Sequence, residues 1–197
     1  MTADRTDVAE FACELITRRQ QTSPKRLTAP GPTPAQVEVL WKAAAQAPDH
    51  GLILPWRFVQ VSDGGRGALG EAFVQALCER DPQASAEQRA EARDKAARAP
   101  FLALAIARLG GDDHPEIPAT QRLASLGCAL QNMLLMAHAQ GFGAGLVSGQ
   151  ALDSTALRTL FGLASEERAV CFVAVGTVVR PKPMRLRPTA RDFVTQL

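Results

Sequence analysis

The chain has 197 residues, of which 46% are hydrophobic and 5% aromatic, and its formal net charge at pH 7 is +2. This length suits a single domain over residues 1–197, and so small a charge, with basic residues not interleaved with aromatic ones, argues against a nucleic-acid partner. Early acidic residues do not fit a signal peptide, and no run of about 18 apolar residues is present, so we expect a cytoplasmic protein without a membrane span.

The first predicted elements are two helices separated by a proline-rich connection. Apolar side chains recur at helical spacing over residues 8–19, which is typical of an amphipathic helix. A second helix is predicted over residues 34–46, because Thr33 has the chemistry of an N-cap and Pro34 suits the first helical position. A loop at residues 47–51 follows it.

The next elements are predicted from the period of their apolar residues. Strand patterns and helix patterns alternate, and the long helix that starts at Ala119 is apolar around most of its surface. We expect that helix to be buried on several sides, although a plain core helix with a glycine-rich stop fits the same pattern. In chain order the predictions are strand 56–61, helices 67–79 and 84–98, strand 101–107, loop 110–118, the long helix, strand 143–147, helix 152–161 and strand 169–178.

The strands are short and apolar, and helices outnumber them. A sheet whose strands are apolar on both faces must be covered on both sides. The sequence therefore predicts a central sheet sandwiched by helices, an α+β fold with α/β-like layers.

The cysteines and histidines are scattered along the chain. No two of them share metal-ligand spacing, which disfavours structural zinc. The cysteines stand in apolar surroundings, so buried, reduced thiols are the simplest interpretation. The residues concerned are Cys13, Cys78, Cys128, Cys171, His50, His114 and His138.

The sequence also lacks the common catalytic motifs. It has no G-x-S-x-G elbow, no Walker loop, and no G-x-G-x-x-G between a strand and a helix. No pair of carboxylates or Cys/His arrangement stands out. If the protein is an enzyme, we expect an organic cofactor to supply the reactivity, with no catalytic side chain in the strict sense and no metal.

Three segments in the same order resemble the nitroreductase family of FMN-dependent oxidoreductases, especially its short YdjA-like branch. They are ITRRQ, QAPDHGLILPWRFVQV and SLGCALQNMLLMAHAQGFGAGLVSG. The resemblance implies a nitroreductase-like fold, with a mainly antiparallel sheet flanked by helices. It also implies a homodimer with the long helix at its interface and FMN bound between the subunits. An isologous contact would cover the apolar long helix.

The resemblance suggests a phosphate site at the end of the first helix. Arg18 and Arg19 match two arginines that can hold the FMN phosphate through forked, charge-assisted hydrogen bonds. Gln20 stands where the family usually has serine. From the residues alone, two solvated arginines at a helix C-terminus, favoured by the helix dipole, are the preferred interpretation.

A second set of expected flavin contacts comes from the QAPDH segment. His50 matches a histidine beside the flavin, although a lone loop histidine also fits a surface position. Gln46 replaces an arginine of the close relatives, and Leu54 replaces a glutamine before Pro55 and Trp56, which we interpret as packing residues.

The third set of expected flavin contacts lies in the segment after the long helix. Leu146, Val147 and Ser148 align with a segment that approaches the flavin from the partner subunit, where relatives have Trp-Arg-Ser. The tail residues Arg185 and Arg187 are candidates to compensate for the lost cation at the phosphate.

The resemblance therefore predicts a flavoprotein that passes a hydride from NADH or NADPH to FMN and then to an electron-poor small molecule. The family acceptors are nitroaromatics, quinones and related compounds. Two other classes stay open: an FMN-binding carrier or sensor with little turnover, and a structural helical protein without a chromophore.

Overall fold

The computed structural model of the protein describes residues 5–111, 114–181, 183–184 and 186–197. Within these ranges, helices and strands follow one another in the predicted order, except that the two-residue strand β1 in the proline-rich connection was not predicted. The helices are α1 (Arg5–Arg18), α2 (Pro34–Ala44), α3 (Arg66–Arg80), α4 (Ala86–Asp94), α5 (Ala119–Ala139) and α6 (Thr155–Leu160). The strands are β1 (Leu27–Thr28), β2 (Trp56–Gln60), β3 (Phe101–Arg108), β4 (Gly143–Val147) and β5 (Glu167–Val178).

The sheet is organised around its longest strand, β5. One path through the sheet runs β1-β5-β3-β2, and β4 pairs with β5 outside that path. All of these pairings are antiparallel, whereas an isolated bridge between Gln21 and Ala144 is parallel. The mainly antiparallel sheet is thus confirmed.

The sheet buries both of its faces, which confirms the layered fold. Along β3 the side chains alternate, so that Ala103 and Ala105 pack on the side of α2 and α5. Leu104 and Ile106 pack on the opposite side, against residues of α3 and α6. Since each β3 residue from Phe101 to Ala107 is buried, the unbroken apolar run in the sequence reflects burial on two faces.

The predicted helix starts agree well with the structure. Thr33 caps α2 in a capping box with Gln36, and Pro34 occupies the first turn. The helix predicted over residues 152–161 is divided, because Ser154 ends a short 3-10 segment and then caps α6 with its side chain. The helix predicted over 84–98 ends as α4 at Asp94 and continues as one 3-10 turn, Lys95–Ala97.

Helix α1 lies against α5 and has no buried residue. Its apolar residues Val8, Phe11 and Ile16 are 54%, 62% and 57% exposed. Cys13 on the same helix is also exposed, and only Cys171 of the four cysteines is buried. The expectation of four buried thiols is therefore wrong, because α1 lies on the surface of the single chain and Cys78 and Cys128 are only partly buried in it.

Helix α5 buries one side and leaves another open. The buried side packs against α2 and the sheet, whereas Leu123 is 40% exposed. Its most buried polar residue is Arg122, whose guanidinium donates to the carbonyl oxygens of Ile117, Gly110 and His114. In the described part of the chain, no helix combines the length and apolarity that a membrane span needs.

Candidate active site

One cavity, formed between the sheet and α3, combines an apolar wall with a basic rim. Its volume is about 390 Å³. Aromatic and aliphatic side chains from both the sheet and α3 form the wall, and the loop after β4 closes one side. The wall includes Phe73, Leu77, Leu102 and Phe172, and the basic side chains are Lys25, Arg80, Lys95 and Arg98. The end of β4 contributes Val147, and the loop after it contributes Ser148, Gly149 and Gln150.

The basic rim is partly neutralised by one carboxylate. Glu91 on α4 lies 3.2 Å from Arg98 Nη2 and 3.7 Å from Lys25 Nζ. The hydrogen bond from Arg98, followed by the positive charges of Lys25 and Lys95, lowers the pKa of Glu91. The four cations of the rim outnumber this carboxylate, which leaves the rim suited to an anionic ligand.

A smaller cavity, of about 280 Å³, lies where α1 and α5 end and β4 begins. Four arginines and one histidine contribute to its lining, together with the backbone around Gly143. The basic residues are Arg18, Arg19, Arg26, His138 and Arg180.

The charges around this smaller cavity are only partly balanced. Glu14 forms an ion pair with Arg18, with 2.9 Å between Oε1 and Nε, and both side chains are exposed. Burial, followed by the positive charge of Arg187, lowers the pKa of the Arg19 guanidinium. The lining residues that the structure describes include no carboxylate, so the cavity favours anions.

One peptide, residues 18–26, borders both cavities. Its first part lines the smaller cavity, and Ser23, Pro24 and Lys25 line the larger one. The peptide is held against β4 by Gln21, whose Nε2 donates to the Leu146 carbonyl oxygen at 2.6 Å and whose Oε1 accepts from the Leu146 amide at 3.2 Å. These bonds position the two cavities relative to the strand between them.

The predicted site residues fall into three groups in a single chain. Arg18, Arg19 and Gln20 line the smaller cavity, and Val147 and Ser148 line the larger one. The third group lines neither cavity: Leu146 packs beside the core on the α5 side, and Gln46 and His50 are exposed. Arg187 is exposed, and Arg185 lies outside the described residues.

His50 projects from a strained loop. Its Nδ1 lies 2.8 Å from Gln121 Oε1, and the neighbouring Asp49 Oδ2 accepts from the Leu54 amide at 2.7 Å. Leu52 and Leu54 have left-handed φ values of 52° and 46°, although both side chains are mostly exposed. Strain of this kind in non-glycine residues is common at functional sites. Pro55 and Trp56 are buried, as packing residues should be.

Sequence reasoning missed most of the basic residues in both cavities. Lys95 and Arg98 belong to a segment whose composition indicates a solvated helix, and Arg80 and His138 follow no motif. They meet only because α3 and α4 pack beside the loop after β4, and because α5 ends near α1. No pattern local to any of these segments signals that arrangement. Among the described residues, no three of His, Cys, Asp and Glu are grouped to hold a metal ion.

Comparison with known proteins identifies the family. The sequence matches the nitroreductase family over residues 18–177. A "Putative NAD(P)H nitroreductase" of Haemophilus influenzae is 33% identical over 187 residues, covering 94% of this chain and 99% of that protein. The "Putative NAD(P)H nitroreductase YdjA" of Escherichia coli K12 is 32% identical over 168 residues, covering 84% and 87%. The chain belongs to the nitroreductase family.

Solved structures agree with this assignment at the level of the fold. A nitroreductase-like family protein from Bacillus cereus superposes with a TM-score of 0.79 at 18% identity, over 100% of this chain and 98% of that one. NfnB from Sphigopyxis sp. strain HMH, described as an FMN- and NADPH-dependent nitroreductase, gives 0.72 at 15% identity, over 94% and 98%. The nitroreductase-like fold and the predicted family are confirmed, and membership supports an oxidoreductase activity.

Proposed function

We propose that this nitroreductase-family protein is an FMN-dependent NAD(P)H oxidoreductase. The observation that carries the proposal is the peptide 18–26, which borders both an apolar cavity with a basic rim and an arginine-lined cavity. FMN has a flat ring system at one end and a phosphate at the other. A ligand of that shape and charge suits two such cavities that share one wall.

The residues present fit the two ends of the cofactor. Phe73 and Phe172 offer apolar surface for the ring, and Ser148 and the backbone at Gly149 offer hydrogen-bonding groups. The arginines of the smaller cavity would hold the phosphate, as the sequence predicts for Arg18 and Arg19.

FMN, when bound, supplies two-electron redox chemistry between NADH or NADPH and an electron-poor acceptor such as a nitroaromatic or a quinone. The chain's own contribution is binding and placement. The apolar wall keeps water from one face of the ring site, and the basic rim attracts the anionic nicotinamide cofactor. Hydride transfer needs donor and acceptor held at about 3–3.5 Å and no acid or base from the chain, while water supplies the proton that the reduced quinone or nitro group takes up.

We also propose that the working form is a cytoplasmic homodimer. The apolar face of α1 and Leu123 on α5 are exposed in a single chain, and a second copy would cover them through an isologous contact. The strained loop that carries His50, Leu52 and Leu54 lines neither cavity of its own chain. In a dimer, such a loop could contribute to the site of the partner.

An absorbance spectrum of the purified protein tests the cofactor and the activity together. We expect a flavin band after reconstitution with FMN, and bleaching of that band by NADH or NADPH without oxygen. A flavin band that persists in the presence of both nicotinamides would favour a carrier or sensor. Failure to bind FMN at all would overturn the proposal.

The carrier alternative is favoured by specific residues. Leu54, Leu146 and Val147 are apolar at positions where the resemblance predicts a polar or aromatic contact. An acceptor screen with a quinone and a nitroaromatic, under the same conditions, distinguishes a reductase from a protein that only holds the flavin. We expect reoxidation of the bleached flavin by at least one acceptor class.

A further inference from the structure

The basic lining of the smaller cavity includes one imidazole, that of His138, beside four guanidinium groups. His138 lies in the last turn of α5, at the end where the helix carbonyls favour positive charge. It shares the cavity with Arg18 and Arg19 from the end of α1, Arg26 before β1, and Arg180 after β5. All the charged lining residues that the structure describes are therefore basic.

Among the described residues that line the cavity, none supplies a competing anion to His138. Glu14 on α1 is paired with Arg18 and does not line the cavity. Arg26 Nη1 donates to the Arg180 carbonyl oxygen at 3.1 Å, which holds these two arginines beside each other without neutralising either. The arrangement therefore favours a bound anion.

We propose that His138 is a ligand of the flavin phosphate and makes the preference for FMN over riboflavin depend on pH. This inference rests on the proposed function. The phosphate would accept hydrogen bonds from the guanidinium groups and from the imidazole. Sequence reasoning assigned no role to this residue.

The direction of the pH effect follows from charge. Imidazole side chains change charge between about pH 5 and 8, and a phosphate attracts imidazolium more strongly than neutral imidazole. Phosphate binding and proton uptake therefore favour each other. The phosphate itself gains a negative charge as pH rises through about 6, which opposes the effect of the histidine. Comparing the wild type with a histidine variant at the same pH cancels the contribution of the phosphate ionisation, because it is the same for both proteins.

The experiment is a fluorescence titration of the apoprotein with FMN and with riboflavin, using the wild type and His138→Gln. Glutamine keeps a hydrogen-bonding side chain but cannot carry a charge. We expect the substitution to raise the Kd for FMN about tenfold at about pH 6 and to change it little at about pH 8.5. The Kd for riboflavin, which has no phosphate, should not respond at either pH.

A matched control is His114→Gln, since His114 lines neither cavity and pairs with Glu116. We expect it to leave both flavin affinities unchanged. If His138→Gln and wild type bind FMN equally at both pH values, the inference is overturned while the proposed function stands. If neither flavin binds to the wild type, both are overturned.

A measurement on the wild type guards against a variant that fails to fold. The chain has three histidines, so their NMR titration curves can be separated. We expect FMN, but not riboflavin, to move the titration midpoint of the His138 ring to higher pH. An unchanged midpoint with FMN bound would contradict a phosphate contact.

Discussion

Arg57 on β2 and Glu167 at the start of β5 are joined by two parallel hydrogen bonds. Arg57 Nε donates to Glu167 Oε1 at 2.7 Å, and Nη2 donates to Oε2 at 2.8 Å. Glu167 Oε2 also accepts from the Ala164 amide at 3.1 Å. Arg57 and Glu167 thus connect β2 and β5, the two strands that pair with β3. The bond from Ala164 also fixes the turn that precedes β5.

This pair predicts a loss of stability at acidic pH. The hydrogen bonds from Arg57 lower the pKa of Glu167 below its ordinary value of 4.5, and this effect exceeds the opposing effect of burial. The pair therefore contributes fully above that ordinary value and loses its contribution as pH falls through the lower pKa of the folded protein. We expect Glu167→Gln to lower the free energy of unfolding by about 1 kcal/mol at neutral pH, measured by urea denaturation.

The control for this prediction is a more exposed pair in which an arginine also donates two hydrogen bonds to one carboxylate. Arg93 donates to both carboxylate oxygens of Glu71, at 2.6 and 3.1 Å, but both side chains are about half exposed. We expect Glu71→Gln to have a smaller effect. A loss in Glu167→Gln that is equally large at about pH 3 would contradict the assigned cause.

Gly145 allows the peptide 18–26 to approach β4. A methyl group there would collide with the Thr22 carbonyl oxygen, and Thr22 is fixed by an amide hydrogen bond to Ala144 O at 2.9 Å. We expect Gly145→Ala to lower the free energy of unfolding by about 1–3 kcal/mol and to weaken FMN binding by displacing the wall that both cavities share. Thermal denaturation and the flavin titration measure the two effects.

Gly67 offers the matched glycine control. It lies in α3, and a methyl group there would meet nothing within 4 Å. Gly67→Ala should stabilise the protein by about 0.5–1 kcal/mol without affecting FMN. Equal behaviour of the two variants would show that the close approach at Gly145 is unimportant.

The exposed face of α1 predicts the behaviour of a dimer variant. Phe11 is 62% exposed in one chain, so a glutamate there costs little in a monomer but would be buried in the proposed interface. We expect the wild type to be a dimer by light scattering and Phe11→Glu to be mostly monomeric. Leu160→Glu, at an exposed position on α6, should stay dimeric; a monomeric wild type would refute the interface.

The buried thiol predicts a difference in chemical reactivity. Burial raises the pKa of Cys171 to about 11, and only the thiolate reacts readily with alkylating agents. We expect iodoacetamide at about pH 8 to leave Cys171 unmodified in the folded protein and to modify it in denaturant, as mass spectrometry would detect. Modification at equal rates in both states would show that the strand opens readily.

Local signals in the sequence were sufficient for most of the fold. The Thr33 cap, the glycine-rich strand at Gly143–Val147 and the unbroken apolar run of β3 each depend on neighbours within a few residues. Such features are decided by propensity, capping and burial pattern. Ser154 shows the limit, because two helical segments separated by a capping residue have the same apolar period as one.

Fewer residues of the candidate site than of the fold could be predicted from the sequence. Arg18 and Arg19 were identified from a resemblance, but Lys95, Arg98 and His138 come close to the cavities through tertiary packing alone. Their side chains are ordinary surface types in helical segments. Only the packing of α3 and α4 beside the larger cavity and of α5 against β4 distinguishes them from solvated residues, and no one-dimensional pattern encodes that packing.

The central position of β5 affects how the protein folds during synthesis. Every strand that pairs with β5 precedes it in the chain. During synthesis, β2 and β3 can form a local pair early, whereas among the described strands β4 and β1 pair only with β5, over residues 172–176 and 177–178. Because contacts that are distant in sequence form slowly and nascent apolar strands tend to aggregate, we expect the sheet to be most prone to aggregation before β5 has been synthesised.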